Sequence, residues 1–313
     1  MKSFKLLYFL LALFLFSCQS KSKDGQTDTY TSGVIRITVD ESFQPIIQEE
    51  LDVFEAQFPN AGIVPNYTNE VDAINQLLKD SVRLSIVTRP LSLIEENSLK
   101  SRKFSPRCYK IAIDGIALII NNQNKDSLIC VDEIKKILTG EIKNWNEVYP
   151  NSGLGKFKVV FDNPNSSTVR YAIDSICNGK PLSKELYAQK TNLEVIDFVS
   201  KTPNAIGIIG VNWLGNSKDT SNLSFKSEVR VMSVSRDDIA TTENSYKPFQ
   251  AYLFYGNYPL TRNVFAILND PRGALPSGLT NFLSSDRGQR IILKSGLVPA
   301  TQPVRIVNVK DQQ

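Results

Sequence analysis

The segment FKVVFDNPNSSTVRYAID, residues 157–174, decides how the rest of the chain is interpreted. It starts as a short apolar strand and continues into a polar turn at 162–165. Two serines and a threonine follow, and apolar residues at helical spacing begin at Val169. The start of a helix offers free amide groups and the positive end of the helix dipole, which favours a small oxyanion. The same residues also cap ordinary helices that bind nothing, so the interpretation depends on the rest of the chain.

The composition is that of an ordinary globular protein. The chain has 313 residues, of which 42% are hydrophobic and 22% are charged, and this length suits two domains or one large one. The net charge of +4 is small, and no stripe of lysine and arginine alternates with aromatic residues, which argues against nucleic-acid binding.

Histidine is absent from the sequence. Its absence excludes Ser-His-Asp and Cys-His catalysis. The cysteines Cys18, Cys108, Cys130 and Cys177 form no CxxC pair, so we expect no zinc site, and we predict no other metal or cofactor. The last three cysteines allow at most one disulfide, and a buried, inert thiol is the expected state of each.

The N-terminus is typical of an exported protein. Residues 1–17 contain two lysines and a short apolar run, which predicts a signal peptide. The sequence Leu15-Phe16-Ser17-Cys18 resembles a bacterial lipobox, in which the cysteine receives the lipid. Residues 18–32 then form the lipidated cysteine and a polar tether. The alternative is a plain signal peptide with a coincidental cysteine. We expect a membrane-anchored lipoprotein that faces the periplasm or the cell exterior.

Three strand–helix units follow the tether. Their strands are predicted at 34–39, 63–67 and 83–88, and this repetition favours an α/β fold with a parallel, doubly wound sheet. Ligands of such sheets bind beyond the carboxyl ends of the strands. The residues at these ends are Ser42, Phe43, Thr68, Asn69, Thr88 and Arg89.

The second half of the chain continues the alternation. A long apolar stretch at 110–121 carries Asp114 and Gly115 in its middle, and a helix is predicted to end at Gly140. Further predictions are a helix from Pro181 toward residue 189, a helix, turn and strand over 193–210, a strand over 258–268, and a closing helix within 275–300.

Five motifs in this order resemble the PstS-like phosphate-binding proteins of ABC importers. They are DGIALIINNQN, ILTGEIKNWNEV with Trp145, TPNAIGIIG, YPLTR and FLSSDRGQRIILKSGLVPA. The resemblance implies two α/β lobes with mixed sheets, joined by two crossing strands in the type II-like periplasmic binding protein fold. It places 33–112 plus 260–306 in lobe 1 and 113–259 in lobe 2, with Asp114-Gly115 and Tyr258-Pro259 near the crossings.

The resemblance also implies a ligand set. Ser42 and Phe43 match a threonine–phenylalanine pair, the turn at Thr68-Asn69 matches a serine only loosely, and Thr88-Arg89 follows the third strand. An R-x-D-x-S-G-T signature aligns with residues 162–168, which adds Asn165, Ser166, Ser167 and Thr168. Asp162 replaces the signature arginine, so Arg170 or Arg89 is expected to supply the charge, or the ligand is a less charged oxyanion. Beside a bound dianion, Asp162 would be repulsive unless it accepts the proton of hydrogen phosphate or pairs with Arg170, and we expect it to pair with an arginine. We also expect Trp145 to be a core residue. The alternative for Arg170 is a solvated position on the helix.

Three hypotheses follow for function. The first is a non-catalytic, monomeric protein that captures inorganic phosphate, or a similar oxyanion, and delivers it to an ABC permease. The second is an exported phosphohydrolase. Against it, the sequence has no histidine and no acidic cluster with the spacing of metal ligands. The third is a sensor or surface lipoprotein that keeps the fold without transport.

Overall fold

The computed structural model describes residues 28–215 and 224–303. The predicted signal peptide, Cys18 and most of the tether lie outside the described residues. Within them, no helix has both the length and the apolar character needed to cross a membrane.

Strands and helices alternate through most of the described chain. The strands are β1 (Gly33–Asp40), β2 (Ala61–Thr68), β3 (Leu84–Val87), β4 (Arg107–Ile120), β5 (Leu128–Cys130), β6 (Lys158–Phe161), β7 (Tyr187–Ala188), β8 (Ala205–Gly210), β9 (Arg230–Val231), β10 (Ser233–Ser235), β11 (Ser245–Tyr246), β12 (Thr261–Leu268) and β13 (Val298–Pro299). The α-helices are α1 (Gln44–Gln57), α2 (Glu70–Leu78), α3 (Leu93–Ser101), α4 (Val131–Thr139), α5 (Ser167–Tyr171), α6 (Asn192–Lys201), α7 (Gln250–Tyr255), α8 (Leu275–Ser284) and α9 (Asp286–Lys294).

The first lobe is built on the three predicted strand–helix units. β1 lies between β2 and β3 and pairs with both in parallel, which confirms the parallel arrangement. β12 then adds to the other side of β3 in the antiparallel direction, so the sheet is mixed. Because β1, β2 and β3 run the same way, their carboxyl ends and the helix starts that follow them lie at one edge of the sheet.

β4 connects the first lobe to the second. From Arg107 to Gly115 it pairs with β12, and from Ile116 onward it pairs with β8. The returning chain is fixed to the same point, because the Tyr258 hydroxyl donates to the Ile116 carbonyl at 2.6 Å and the Ile116 amide donates to the Leu260 carbonyl at 2.8 Å. The transition falls at Asp114 and Gly115, and we propose the lobe boundaries 33–112 plus 260–306 and 113–259, of which residues 216–223 and 304–306 lie outside the described part of the chain.

The second lobe continues the sheet in the order β4, β8, β6, β7, and β5, β10 and β11 form a small separate sheet. β6 ends at Phe161, and after the turn at Asp162 the chain enters α5, as the sequence predicts. A π turn, Ala172–Ile176, extends α5. α4 ends at Gly140, whose φ of +81° suits glycine at a helix end. Trp145 is a core residue as expected, since it is fully buried.

One prediction of secondary structure is wrong and one is incomplete. No helix forms over 181–189, where the sequence is interrupted by turns and only the short β7 appears. The closing segment contains two helices rather than one, because Ser285 ends α8 and caps α9 by accepting a hydrogen bond from the Gly288 amide. The three described cysteines are free thiols, of which Cys130 and Cys177 are buried as expected and Cys108 is exposed.

Candidate functional site

The centre of the candidate site is an ion pair at the junction of the two lobes. Arg262 of β12 lies opposite Asp114 of β4, and its Nε atom is 2.9 Å from Asp114 Oδ2. Arg262 is 5% exposed and Asp114 is fully buried. Burial opposes the positive charge, but the carboxylates of Asp114 and Asp40 outweigh it and raise the pKa of Arg262. The sheet therefore holds a permanent cation between the lobes.

One nitrogen of Arg262 has no protein partner and is left for a ligand. Its Nη1 atom donates to Ser167 Oγ at 2.7 Å, and its guanidinium carbon lies 5.1 Å from the centre of the Phe43 ring. The Nη2 atom is buried and has no partner in the described protein. Gly210 packs closely beside this atom, since a Cβ there would lie only 3.3 Å from Nη2 and would crowd the guanidinium. A buried N–H without an acceptor is costly, which marks Nη2 as a binding atom.

The first lobe contributes the turn after β1. Asp40 Oδ1 accepts a hydrogen bond from the Ser42 amide at 2.9 Å, and Ser42 Oγ lies 3.4 Å from Ser167 Oγ of the other lobe. The Ser42 carbonyl accepts from Asn212 Nδ2 at 2.8 Å and Trp213 Nε1 at 2.9 Å. These contacts fix Ser42 against the second lobe, as expected for two surfaces that share one ligand.

The second lobe contributes the start of α5. Ser166 caps this helix, accepting from the Val169 amide at 3.2 Å and donating to Asp162 Oδ1 at 2.6 Å. Thr168 Oγ1 is buried and has no partner in the described protein. Asn192 Nδ2 donates to the other oxygen of Asp162 at 3.2 Å. The prediction that Asp162 pairs with an arginine is therefore wrong, because neutral donors hold both of its oxygens.

Carboxyl groups near Arg262 are poorly solvated. Burial raises the pKa of Asp162 to about 6, with Ser166 opposing the shift and Asp40 adding to it. Burial and the neighbouring charges of Asp162 and Asp40 raise the pKa of Glu41 to about 7. The pKa of Asp40 is also raised, chiefly by burial. The interior of the cleft is thus rich in carboxyl groups that resist ionisation.

A second arginine connects the lobes nearer the surface. Arg170 of α5 donates from Nε to Glu70 Oε2 at 2.5 Å and from Nη2 to Thr88 Oγ1 at 2.7 Å. Glu70 Oε1 in turn accepts from the Thr88 amide at 2.8 Å and hydroxyl at 2.6 Å. Burial alone raises the pKa of Glu70, but the hydrogen bond and charge of Arg170 outweigh it and lower the pKa. We call Arg170, Glu70 and Thr88 the rim triad.

Several predicted site residues lie in other local structures. Arg89 donates to both oxygens of Glu95, at 2.7 and 2.8 Å, within the cap of α3. Asn69 caps α2 by accepting from the Asp72 amide at 3.0 Å. Asn165 is exposed on the turn before α5, and half-buried Thr68 lies beside Asp40 in the β1–β2 register. The structure brings Ser167 and Phe43 into contact with Arg262 and places Ser42 against Ser167. Ser166 and Thr168 flank Ser167 in the chain.

Arg262, Asp114, Asp40 and Glu70 were not predicted as site residues. A pattern in the two crossing strands does indicate the first pair. Arg262 stands in line with Leu260, Val264 and Ala266 on the inward face of its strand, and Asp114 interrupts a long apolar run. A charged residue at an inward position needs a partner, and the two strands supply one to each other. Among the described residues, no group of three or more Cys, Asp or Glu side chains is arranged to hold a metal ion.

Comparison with known proteins gives a consistent family. The sequence model of the PBP superfamily domain matches residues 24–287. Phosphate-binding protein PstS of Borreliella burgdorferi is 25% identical over 310 residues, covering 95% of this chain and 99% of that protein. PstS of Bacillus subtilis is 23% identical over 291 residues, covering 91% of this chain and 87% of that protein.

Solved structures show the same fold. A candidate phosphate ABC transporter substrate-binding protein from Clostridium perfringens, with bound phosphate, superposes with a TM-score of 0.70 at 20% identity, covering 86% of this chain and 100% of that one. An ABC-type phosphate transport receptor from Vibrio cholerae gives a TM-score of 0.65 at 18% identity, covering 85% and 100%. With the family match extending over most of its length, this chain belongs to the PBP superfamily.

Proposed function

We propose that this protein is an extracytoplasmic solute-binding protein that captures inorganic phosphate for an ABC importer. The observation that carries the proposal is the buried Arg262, which keeps an unpartnered Nη2 atom at the junction of the lobes. The relatives named as phosphate-binding proteins support the choice of ligand. A guanidinium is the side chain best suited to bind a phosphate oxygen.

The proposed ligand contacts come from both lobes. Arg262 supplies the charge that the aligned signature lacks at Asp162. Ser42, Ser167 and Thr168 add hydroxyl groups, and Phe43 adds its backbone amide. The amides at the start of α5 lie at the positive end of that helix, which further favours an anion. We leave out Arg89, Asn69 and Asn165, whose contacts belong to caps and an exposed turn, and treat Thr68 as a neighbour of Asp40.

Binding in this cleft involves no covalent step. The ligand exchanges its water shell for fixed donors, so selectivity depends on how completely those donors and acceptors are matched. Each buried polar group left without a partner costs about 1–3 kcal/mol, which penalises an anion of the wrong shape or protonation. The rim triad closes over the ligand from the surface side by connecting α5 to α2 and to the end of β3.

We propose that the protein works outside the cytoplasm as a lipid-anchored monomer. The predicted signal peptide at 1–17, Cys18 in its lipobox-like context and the polar tether up to residue 32 support this location. The partner that receives the ligand is then an ABC permease in the same membrane. In cells supplied with a radioactive fatty acid, we expect the wild-type protein to be labelled and the C18S variant to remain unlabelled.

Calorimetric titration of the purified protein tests the proposed function. We expect heat and a 1:1 stoichiometry with phosphate, similar binding of arsenate, and much weaker binding of sulfate and molybdate. Tighter binding of sulfate or molybdate than of phosphate would mean that another oxyanion is the ligand. No heat with any of the four anions, from protein whose fold is confirmed by circular dichroism, overturns the proposal.

A further inference from the structure

The carboxyl groups around Arg262 limit the charge of the ligand that the cleft accepts. Resting on the proposed function, we propose that the cleft binds its oxyanion as a protonated, singly charged species, which for phosphate is the dihydrogen form. The dianion is then excluded, and affinity falls as the pH rises. This dependence is a property of the cleft of this chain, in which Asp162 takes the place of an arginine.

The charges in the cleft do not neutralise a dianion. Arg262 is the buried cation, and Asp114 already pairs with it at 2.9 Å. Arg170 is neutralised by Glu70 in the rim triad. The remaining carboxyl groups, Asp40 and Asp162, are fully buried near Arg262. A ligand that carries a single negative charge meets the least repulsion from them.

The hydrogen-bonding atoms lead to the same conclusion. Among the described residues, the buried atoms without partners include three carboxyl oxygens, Asp40 Oδ2, Glu41 Oε1 and Asp114 Oδ1. Against them stand the two N–H groups of Arg262 Nη2 and one hydroxyl, Thr168 Oγ1. Carboxylate oxygens only accept. Once the three protein donors bind the oxyanion, the protons for the carboxyl oxygens come from the ligand or from the carboxyl groups themselves. Dihydrogen phosphate brings two O–H donors, whereas sulfate brings none.

Titration of the cleft acts in the same direction as titration of the ligand. With pKa values of about 6 for Asp162 and about 7 for Glu41, Asp162 loses its proton first, below neutrality, and Glu41 follows near neutral pH. The cleft then becomes more negative while phosphate turns into its dianion. The charged groups that face one another here are Asp40 and Glu41 after β1, Glu70 of α2, Asp114 of β4, Asp162 after β6, Arg170 of α5 and Arg262 of β12.

Calorimetry with inorganic phosphate over a pH series tests the inference. The apparent dissociation constant equals the intrinsic constant divided by the competent fraction of the ligand, so it should rise about tenfold per pH unit once the dianion dominates. Between about pH 6 and about pH 8.5 we expect a loss of affinity of at least about tenfold. A constant affinity, or a tighter one at the higher pH, overturns the inference. Absence of phosphate binding at every pH overturns the proposed function instead.

Two variants separate the contribution of the protein to the pH dependence of affinity from the contribution of phosphate. D162N and E41Q each remove one ionisation, so we expect a shallower pH dependence that keeps the part caused by phosphate itself. E41Q is the safer variant, because Glu41 is only half-buried and its loss leaves the Asp162 contacts in place. D197N on the exposed face of α6 is the matched control and should reproduce the wild-type curve. If E41Q and D162N both keep the full wild-type slope, cleft ionisation has no part in the effect.

Discussion

The two arginines that connect the lobes are held in opposite ways. Arg262 is buried at the crossing strands, pairs with Asp114 on one side and keeps an unpartnered Nη2 atom on the other. Arg170 lies on α5 near the surface, 30% exposed, and gives its donors to Glu70, Thr88 and Asp174. Both arginines bridge the lobes, but the N–H donors of Arg170 are bonded to protein side chains.

This difference indicates different roles for the two arginines. A cation whose N–H groups are already bonded to protein carboxylates has little to offer an anion, whereas one with a free buried N–H gains by binding it. We therefore attribute contact with the ligand to Arg262 and closure of the lobes to Arg170. Three substitutions and one pH experiment test this assignment.

Replacing Arg262 with glutamine should have the largest effect. Loss of a buried charged partner typically costs 2–5 kcal/mol of binding, so we expect phosphate affinity to fall by at least about a hundredfold in calorimetry. The single variant also leaves Asp114 buried without its partner, which destabilises folding by about 3–5 kcal/mol.

The double variant R262Q/D114N separates binding from folding, because it replaces the ion pair by two neutral amides. We expect it to fold better than R262Q in chemical denaturation and still fail to bind phosphate. A double variant that binds like the wild type would remove Arg262 from the ligand set.

Replacing Arg170 with glutamine should have a smaller effect of a different kind. Because we assign the rim triad to holding the lobes together and not to ligand contact, we expect a loss of affinity of about tenfold, expressed mainly as faster phosphate release in stopped-flow measurements. E70Q should behave similarly, and the E70Q/R170Q double variant should be no weaker than either single variant. Additive losses, or a loss as large as that of R262Q, would mean that Arg170 contacts the ligand directly.

The rim triad should also appear in the pH dependence of stability. The pKa of Glu70 is lowered, so its pairing with Arg170 stabilises the fold above the ordinary pKa of 4.5 and the stabilisation disappears as the pH falls below that value. We expect the free energy of unfolding of the wild type to exceed that of R170Q by about 1–2 kcal/mol at neutral pH, with the gap closing in acid. Urea denaturation at several pH values measures it, and a gap that persists below the folded-state pKa contradicts the pairing.

Replacing Arg89 with glutamine should have the smallest effect on binding. Arg89 pairs with Glu95 within one lobe and lowers the pKa of that carboxyl to about 2. It is the matched control for Arg170, as an arginine–glutamate pair that does not connect the lobes. We expect phosphate affinity within about twofold of the wild type, since surface pairs contribute about 1 kcal/mol or less. A loss of tenfold or more would return Arg89 to the ligand set that the sequence suggested.

Much of the fold was predictable because it depends on local patterns. The three parallel strands, the strand–turn–helix unit at 157–174 and the helix end at Gly140 each follow from apolar spacing and end residues. The missing helix at 181–189 shows the limit of that approach, since short segments with turn residues carry no periodic pattern that tells a helix from a loop.

The site was predictable only where it is made of helix starts. Ser42, Phe43 and residues 166–168 belong to turns that the sequence reveals, whereas Arg262 and Asp114 are 148 residues apart and meet through strand register. The pairing of Arg170 with Glu70 likewise joins two helices of different lobes. Such pairings arise from tertiary structure, whereas the sequence motif points only to the arginine nearest to it, Arg170.

A crystal structure of the protein with phosphate tests the central claim most directly. We predict a phosphate oxygen within hydrogen-bonding distance of Arg262 Nη2, about 2.7–3.2 Å, with Ser42, Ser167 or Thr168 also in contact and the rim triad intact. A phosphate bound by Arg170 or Arg89, with Arg262 making no contact to it, would contradict the account.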